Sequence, residues 1–170
     1  MPNWCDNSVT LRNDDKSKID ALDAEMSKKN EKGYSMAEPF NFLRPNPTGE
    51  WQYDWSCENW GTKWDANVID WERQDDNTIW ISFDSAWSPP TALYDYLFEE
   101  GWEVEALYHE PGMAYAGQYC DGSDDYYEYD ITDLESIEEL PEDIIEFADL
   151  RGQHEYWKEE NEDNDEEEVD

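Results

Sequence analysis

The chain has 170 residues, with 46 Asp and Glu against 11 Lys and Arg, and its formal net charge at pH 7 is −35. Because nucleic-acid affinity depends on Lys and Arg contacts to phosphate, this charge excludes direct binding of DNA or RNA. Aromatic residues make up 15% of the chain, including ten Trp, which is far more large apolar surface than a disordered chain exposes. The composition predicts one folded, aromatic-rich body with an acidic surface.

The negative charge is concentrated in the second half of the chain. Residues 1–73 carry 9 Lys and Arg and 14 Asp and Glu, whereas residues 74–170 carry 2 and 32. Gln74 to Leu150 contains no Lys or Arg at all. A surface of one sign repels itself, so added salt should stabilise the fold, and it attracts basic partners. The distribution indicates either a basic partner or a special need for solubility.

The cysteines and the hydropathy pattern bear on the compartment. The chain has three widely spaced cysteines, Cys5, Cys57 and Cys120, and an odd number does not suggest a disulfide framework. No apolar N-terminal signal segment or membrane-spanning segment is visible. We therefore expect a soluble cytoplasmic protein with reduced thiols and no membrane contact.

The first elements can be predicted from periodicity. Residues 3–12 alternate as a strand does, and residues 13–15 offer N-cap chemistry for a helix that Gly33 would end. Residues 34–57 hold three prolines and aromatics without a period, which indicates an irregular insertion that packs on its own aromatics. Residues 66–73 and 78–84 predict a β-hairpin with its turn at residues 75–77.

The second half predicts further elements in the same way. A helix should begin at Pro89-Pro90 and end at Gly101, followed by a strand over 102–108. Residues 113–119 would continue that strand or form its antiparallel partner, and residues 126–131 would form another strand. Residues 132–135 read as a capping box, and Pro141 is expected to separate it from a helix over 141–150 that Gly152 closes.

The order β, α, β, β, α, β predicts an α+β protein with a ferredoxin-like (split β-α-β) antiparallel sheet and helices on one face. We expect residues 1–120 to form this domain, with the aromatic-rich insertion at 34–57. Residues 121–152 would be an acidic strand and helix extension packed on it. Residues 153–170 would be a disordered acidic tail, since residues 158–170 hold nine acids and one lysine.

Four segments carry a resemblance to a known family: MPNWCDN at residues 1–7, ENWGTKWDA at 58–66, FDSAWSPP at 83–90 and EPGMAYAG at 110–117. In this order they resemble the YubB-like family of bacteriophage, plasmid and pathogenicity-island proteins, over about residues 1–120. The resemblance implies a ferredoxin-like domain and a mobile-element origin, and hence the cytoplasm of the host cell. It supplies no catalytic residues.

The acidic half suggests a binding surface. Five acids are spaced by 4, 3, 4 and 3 residues, which places them on one face of a helix if Pro141 does not break it. At a rise of ~1.5 Å per residue this face offers a carboxylate every ~5 Å, within a factor of two of the ~3.4 Å phosphate spacing of a DNA strand. With four further acids, the predicted surface comprises Asp124, Asp125, Glu128, Asp130, Glu135, Glu139, Glu142, Glu146 and Asp149.

This surface predicts a non-enzymatic protein that binds and inhibits a basic, nucleic-acid-handling host protein, for instance a defence enzyme, as a DNA mimic. Tyr126, Tyr127 and Tyr129 would serve as aromatic anchors among the charges. The competing interpretation is a solvated acidic face that serves solubility alone.

A second hypothesis is a small-molecule-binding module with a Trp-lined pocket. Aromatic walls with a few inward polar groups are typical of such sites, and the motifs supply Asn59, Trp60, Thr62, Lys63, Trp64 and Trp87. The competing interpretation assigns these residues to core and corner packing. A neutral or cationic ligand would suit the acidic chain better than an anion.

Signals for catalysis and metal binding are weak. Cys5 would need an activating base, and neither His109 nor His154 lies in a recognisable motif. Cys and His lack zinc-site spacing, and residues 121–125 do not match a calcium-binding loop. We expect no enzymatic activity, no cofactor and no metal.

Overall fold

The computed structural model describes residues 2–167, with side chains described as far as residue 162. These residues form an α+β protein. Its six strands are β1 Trp4–Arg12, β2 Asn67–Asp75, β3 Thr78–Ala86, β4 Glu103–Glu110, β5 Tyr115–Cys120 and β6 Ser123–Glu128. Its seven helices are α1 Lys16–Met26, α2 Pro39–Leu43, α3 Tyr53–Asn59, α4 Thr91–Glu99, α5 Leu134–Glu138, α6 Glu142–Ala148 and α7 Leu150–Glu167.

The strands form one antiparallel sheet in the order β2-β3-β1-β4-β5-β6. The central strand β1 pairs Val9 with Ile81 of β3 on one side and with Ala106 of β4 on the other. The predicted β2–β3 hairpin is confirmed, and the segment after β4 is its antiparallel partner rather than its continuation.

The sheet carries an apolar core on each face, because side chains alternate along each strand. On one face, α1 and α4 contribute Ile19, Leu22 and Leu97 to a core with Val9 and Val104. On the opposite face, a smaller core joins β4 and β5 to the C-terminal helices. Its buried members include Ala116, Ile137, Ile144 and Leu150, and Leu107 packs against them.

Helix α1 begins at Asp15, whose side chain accepts a hydrogen bond from the Ser17 backbone N–H. It ends at Met26, well before the predicted stop at Gly33. Gly33 instead lies in a turn, with φ of 84°, inside a short antiparallel bridge between Lys29 and Ser35. The glycine therefore marks a reversal of the chain after the helix has ended.

The predicted irregular insertion contains two short helices, α2 and α3. Helix α2 begins where the Asp65 carboxylate accepts hydrogen bonds from the backbone N–H groups of Phe40 and Asn41, at 3.0 and 2.9 Å. A cap from a residue 24 positions away leaves no local sequence signal, which is why the pattern suggested a loop.

The strand predicted over 126–131 lies earlier, at β6. Asp121 and Gly122 have positive φ values of 41° and 89°, so they form a two-residue hairpin turn between β5 and β6. This turn fixes the start of β6 at Ser123.

The C-terminal segment differs from prediction in its boundaries. Pro141 does separate two helices, but the side chain that caps α5 is Asp133, not Thr132. Helix α6 ends at Asp149, which has φ of 50°, rather than at Gly152. Residues 153–167 are helical, which corrects the expectation of a disordered tail, and residues 168–170 lie outside the described residues. Within residues 2–167 no helix is both long enough and apolar enough to cross a membrane.

Candidate functional site

The acidic surface, defined by the nine predicted residues from Asp124 to Asp149, is distributed over several elements. It occupies β6, the turn after it, α5, α6 and the residue that ends α6. All nine residues are exposed. The predicted single helical stripe is wrong, because Pro141 lies between α5 and α6 and Asp149 leaves the helical conformation. The carboxylates therefore spread over a two-dimensional surface instead of a line.

Arg151 neutralises part of this surface. Its guanidinium donates to both carboxylate oxygens of Glu138 and to both of Glu142, at 2.6 to 2.9 Å. These hydrogen bonds lower the pKa of both glutamates. The same guanidinium joins α5, α6 and α7, so Glu142 lies on the acidic surface but is already paired with Arg151.

Other members of the acidic surface accept hydrogen bonds within the fold. Asp124 accepts from the Tyr108 hydroxyl at 2.7 Å, and partial desolvation of its carboxylate raises its pKa. Asp130 accepts from the backbone N–H and hydroxyl of Thr132, which lower its pKa. Glu128 accepts from the Tyr126 hydroxyl at 3.0 Å.

Five members have neither a side-chain hydrogen bond nor an ion pair with any residue whose side chain the structure describes: Asp125, Glu135, Glu139, Glu146 and Asp149. Of the predicted aromatic anchors, Tyr126 is 52% exposed. Tyr129 is buried, with its hydroxyl 2.7 Å from His109 Nε2, so it cannot serve as an anchor. The surface thus offers free carboxylates and one exposed ring.

Of the six residues of the predicted Trp pocket, only Trp60 and Trp64 line a common cleft. Trp60 is buried, packs edge-on against Phe40 and Trp55, and donates its indole N–H to the Arg44 carbonyl. Thr62 is buried and donates to the Ala86 carbonyl.

The other predicted members are dispersed. Asn59 donates to the Trp55 carbonyl at the end of α3. Lys63 Nζ lies 4.2 Å from the centre of the Trp64 ring. Trp87 is half exposed, with φ of 71°. Asn59, Trp60 and Thr62 are therefore part of the core and corner packing of the fold. The prediction of one pocket lined by all six residues is wrong.

A different cleft lies nearby, between the insertion and the start of β2. We call it the tryptophan cleft. Its volume is about 290 Å³. Of the predicted residues only Trp60 and Trp64 line it, and the rest of its wall comes from Glu38, Asn41, Asn46, Gly49, Glu50, Trp51, Ser56 and Asp65. Sequence reasoning missed Trp51 and the carboxylates, since the insertion shows no periodicity that would place them.

The walls of the cleft are held by hydrogen bonds and ring contacts. The Trp51 indole N–H donates to the Lys63 carbonyl at 2.6 Å, and Trp64 packs against Trp4 with ring centres 6.1 Å apart. Burial raises the pKa of Asp65 to about 6, against the lowering effect of the backbone N–H groups it accepts from.

Two buried polar groups in the cleft have no hydrogen-bond partner among the described residues. Asn46 is 8% exposed, and its side-chain oxygen accepts from the backbone N–H and hydroxyl of Thr48. Because a backbone N–H can only donate, this contact fixes the amide orientation and leaves Nδ2 unpaired. The hydroxyl of Ser56, 1% exposed, is also unpaired.

The candidate nucleophile and base of the chain are not activated. Burial raises the pKa of the Cys5 thiol to about 12 and lowers the pKa of His109 to about 4. Such a thiol stays protonated at neutral pH, where it is a poor nucleophile. In the described part of the chain, no group of three or more His, Cys, Asp and Glu side chains is placed to hold a metal ion.

No family model and no curated protein matches the chain. Among solved structures, the crystal structure of a protein api92 from Yersinia pseudotuberculosis, assigned to family DUF1281, superposes with a TM-score of 0.48 and 14% identity. The superposition covers 76% of this chain and 99% of that one.

Proposed function

We propose that this protein is a non-enzymatic accessory protein of a phage or related mobile element. It binds a basic, nucleic-acid-handling host protein through the acidic surface and inhibits it as a DNA mimic. The observation that carries the proposal is the set of exposed carboxylates on β6, α5 and α6, in a stretch of sequence without Lys or Arg. Such a field accelerates association with a basic partner and suppresses wrong partners.

The arrangement of the surface supports mimicry. A DNA duplex presents phosphates on a curved surface, so a mimic needs carboxylates spread in two directions. The break at Pro141 and the separate strand β6 provide that spread, and the unpaired Asp125, Glu135, Glu139 and Glu146 are available to cationic groups of a partner.

The body that carries the surface suits a binding protein. We infer that β1 to β4 with α1 and α4 form a ferredoxin-like unit, since strands in the order β2-β3-β1-β4 with all-antiparallel neighbours are what a split β-α-β arrangement requires. The four sequence motifs support membership of the YubB-like family. Charged residues of the C-terminal extension can therefore be substituted without disturbing the larger core, which lies between the sheet and helices α1 and α4.

The first experiment is a pull-down from bacterial lysate at low and at moderately high salt, with captured proteins identified by mass spectrometry. The test variant carries Asp125→Asn with Gln at Glu135, Glu139 and Glu146. We expect it to lose a nucleic-acid enzyme that the parent retains at low salt and releases at high salt, because the free carboxylates provide the attraction.

The matched control removes four exposed carboxylates from the first half of the chain: Glu31→Gln, Asp54→Asn, Glu58→Gln and Glu72→Gln. It has the same net charge as the test variant and should retain the partner. Equal capture by both variants, or equal loss from both, would show that only the total charge matters and would contradict a specific surface.

The second candidate, a small-molecule-binding module, is supported by the tryptophan cleft and its unpaired buried groups. The cleft shares no residue with the acidic surface, so the two functions can be tested separately.

A further inference from the structure

The walls of the tryptophan cleft have the chemistry of a cation site. Trp51, Trp60 and Trp64 contribute three indole side chains to a cleft of about 290 Å³, the size of one small ligand. The negative face of an indole attracts ammonium and guanidinium groups, and Trp attracts them more strongly than Tyr or Phe. The molecule already uses this attraction next to the cleft, where the Lys63 ammonium lies over the Trp64 ring.

The charges around the cleft favour the same ligand. Glu38, Glu50 and Asp65 line it, and no Lys or Arg does. Lys63, beside the cleft, is committed to the Trp64 ring. Arg44 lies over the Tyr96 ring and donates to the Asn59 carbonyl. An anionic ligand would face three carboxylates without a cation to bind it, whereas an organic cation would meet both opposite charge and aromatic faces.

The unpaired polar groups of the cleft, Asn46 Nδ2 and the Ser56 hydroxyl, place a second requirement on the ligand. A buried polar group without a partner destabilises the fold, so such groups in a native cleft take their partner from water or from a bound ligand. Asn46 Nδ2 can only donate, and the Ser56 hydroxyl can donate or accept. A ligand that satisfies both must carry a hydrogen-bond acceptor, such as a hydroxyl or carbonyl oxygen.

We propose that the tryptophan cleft binds a small organic cation, an ammonium or a guanidinium, that also carries a hydrogen-bond acceptor. The cationic group lies among the indoles and the carboxylates, and the acceptor meets Asn46 and Ser56. This site is independent of the acidic surface.

The test is isothermal titration calorimetry on the full chain at about 0.15 M NaCl, where nonspecific attraction to the acidic chain is largely screened. Choline is compared with 3,3-dimethylbutan-1-ol, its neutral isostere, and Nα-acetylargininamide with Nα-acetylcitrullinamide, whose urea group is neutral. We expect at least one cation to bind about ten-fold more tightly than its neutral partner, since the pairs differ in charge far more than in shape. Tetramethylammonium, which lacks an acceptor, should bind more weakly than choline.

Variants locate the site. Trp51→Ala removes a half-exposed ring and should weaken cation binding about five-fold. Trp87→Ala removes another half-exposed ring, which does not line the cleft, and should leave the affinity unchanged. Ser56→Ala removes an unpaired hydroxyl, so no hydrogen bond of the fold is lost, and it should bring the affinity for choline towards that for tetramethylammonium.

The proposal is overturned if neither cation binds, if the cations and their neutral partners bind alike, or if Trp51→Ala and Trp87→Ala have equal effects. The four-carboxylate variant of the acidic surface should bind the same cation with unchanged affinity. If that variant also loses binding, the attraction is to the net charge of the chain and not to this cleft.

Discussion

At the scale of single residues, burial dictates the chemistry of His109. Its side chain is 3% exposed, Nε2 lies 2.7 Å from the Tyr129 hydroxyl, and Nδ1 lies 3.8 Å from the Asp6 carboxylate. Burial lowers its pKa to about 4, from about 6.5 in an unfolded chain. The folded state therefore binds fewer protons than the unfolded state between these values. The resulting stability is complete above about pH 6.5 and is lost as the pH falls towards 4.

We expect an NMR titration of the His109 Cε1–H resonance to show a midpoint below about pH 5, and the free energy of unfolding to fall by up to about 3 kcal/mol from this group over that range. His109→Gln should reduce the pH dependence of unfolding in that window. A midpoint near the ordinary histidine value would mean either that the ring is solvated or that the nearby Asp6 carboxylate offsets the effect of burial.

At the scale of elements, sequence patterns predict a strand or helix correctly where neighbouring residues determine it. The alternation in β1 and the β2–β3 hairpin arise from neighbouring residues, and both were predictable. The Asp121-Gly122 dipeptide is a local hairpin signal of the same kind, and it forms the turn between β5 and β6. Helix α2 was not predictable, because Asp65 caps it from a distant position.

Helix α7 was unpredictable for a related reason. Its acidic composition, read alone, indicates disorder. Its start is fixed by contacts with other elements, since Leu150 is buried in the second core and Arg151 binds glutamates of α5 and α6.

Gly117 shows how closely β5 approaches its neighbours. A Cβ at this position would overlap the Tyr108 ring and lie 2.6 Å from the Asp125 carbonyl oxygen. We expect Gly117→Ala to lower the free energy of unfolding by about 1–3 kcal/mol in urea denaturation, because the ring or strand β6 must move. Gln118→Ala, one residue along the same strand, is the control and should cost less. Equal stability of Gly117→Ala and the parent would show that the Tyr108 ring and strand β6 can both shift at no cost in stability.

At the scale of the whole molecule, the sequence predicted where the charge lies but not how the fold arranges it. The nine acids of the acidic surface are all exposed, but their division among β6, α5 and α6 depends on a proline break and on the left-handed conformation of Asp149. Of the ten residues that line the tryptophan cleft, the predicted pocket contains only Trp60 and Trp64. Trp51 and Asp65 lie in or beside an aperiodic insertion whose folding only the tertiary contacts determine.

The net charge of −35 has a consequence for the stability of the entire chain. Repulsion among exposed carboxylates destabilises the compact state, and raising NaCl from about 0.01 M to about 1 M shortens the screening length from ~30 Å to ~3 Å. We expect the urea midpoint of the parent to rise with NaCl.

This rise should be smaller for the four-carboxylate variant of the acidic surface than for its matched control in residues 1–73, where acids are interspersed with Lys and Arg. Sucrose is the control for the salt effect, because it stabilises proteins by exclusion from their surface and does not screen charge. The rise in urea midpoint that sucrose causes should therefore be the same for both variants. A urea midpoint that falls with NaCl, or that rises equally in the two variants, would show that repulsion within the acidic surface does not destabilise the fold.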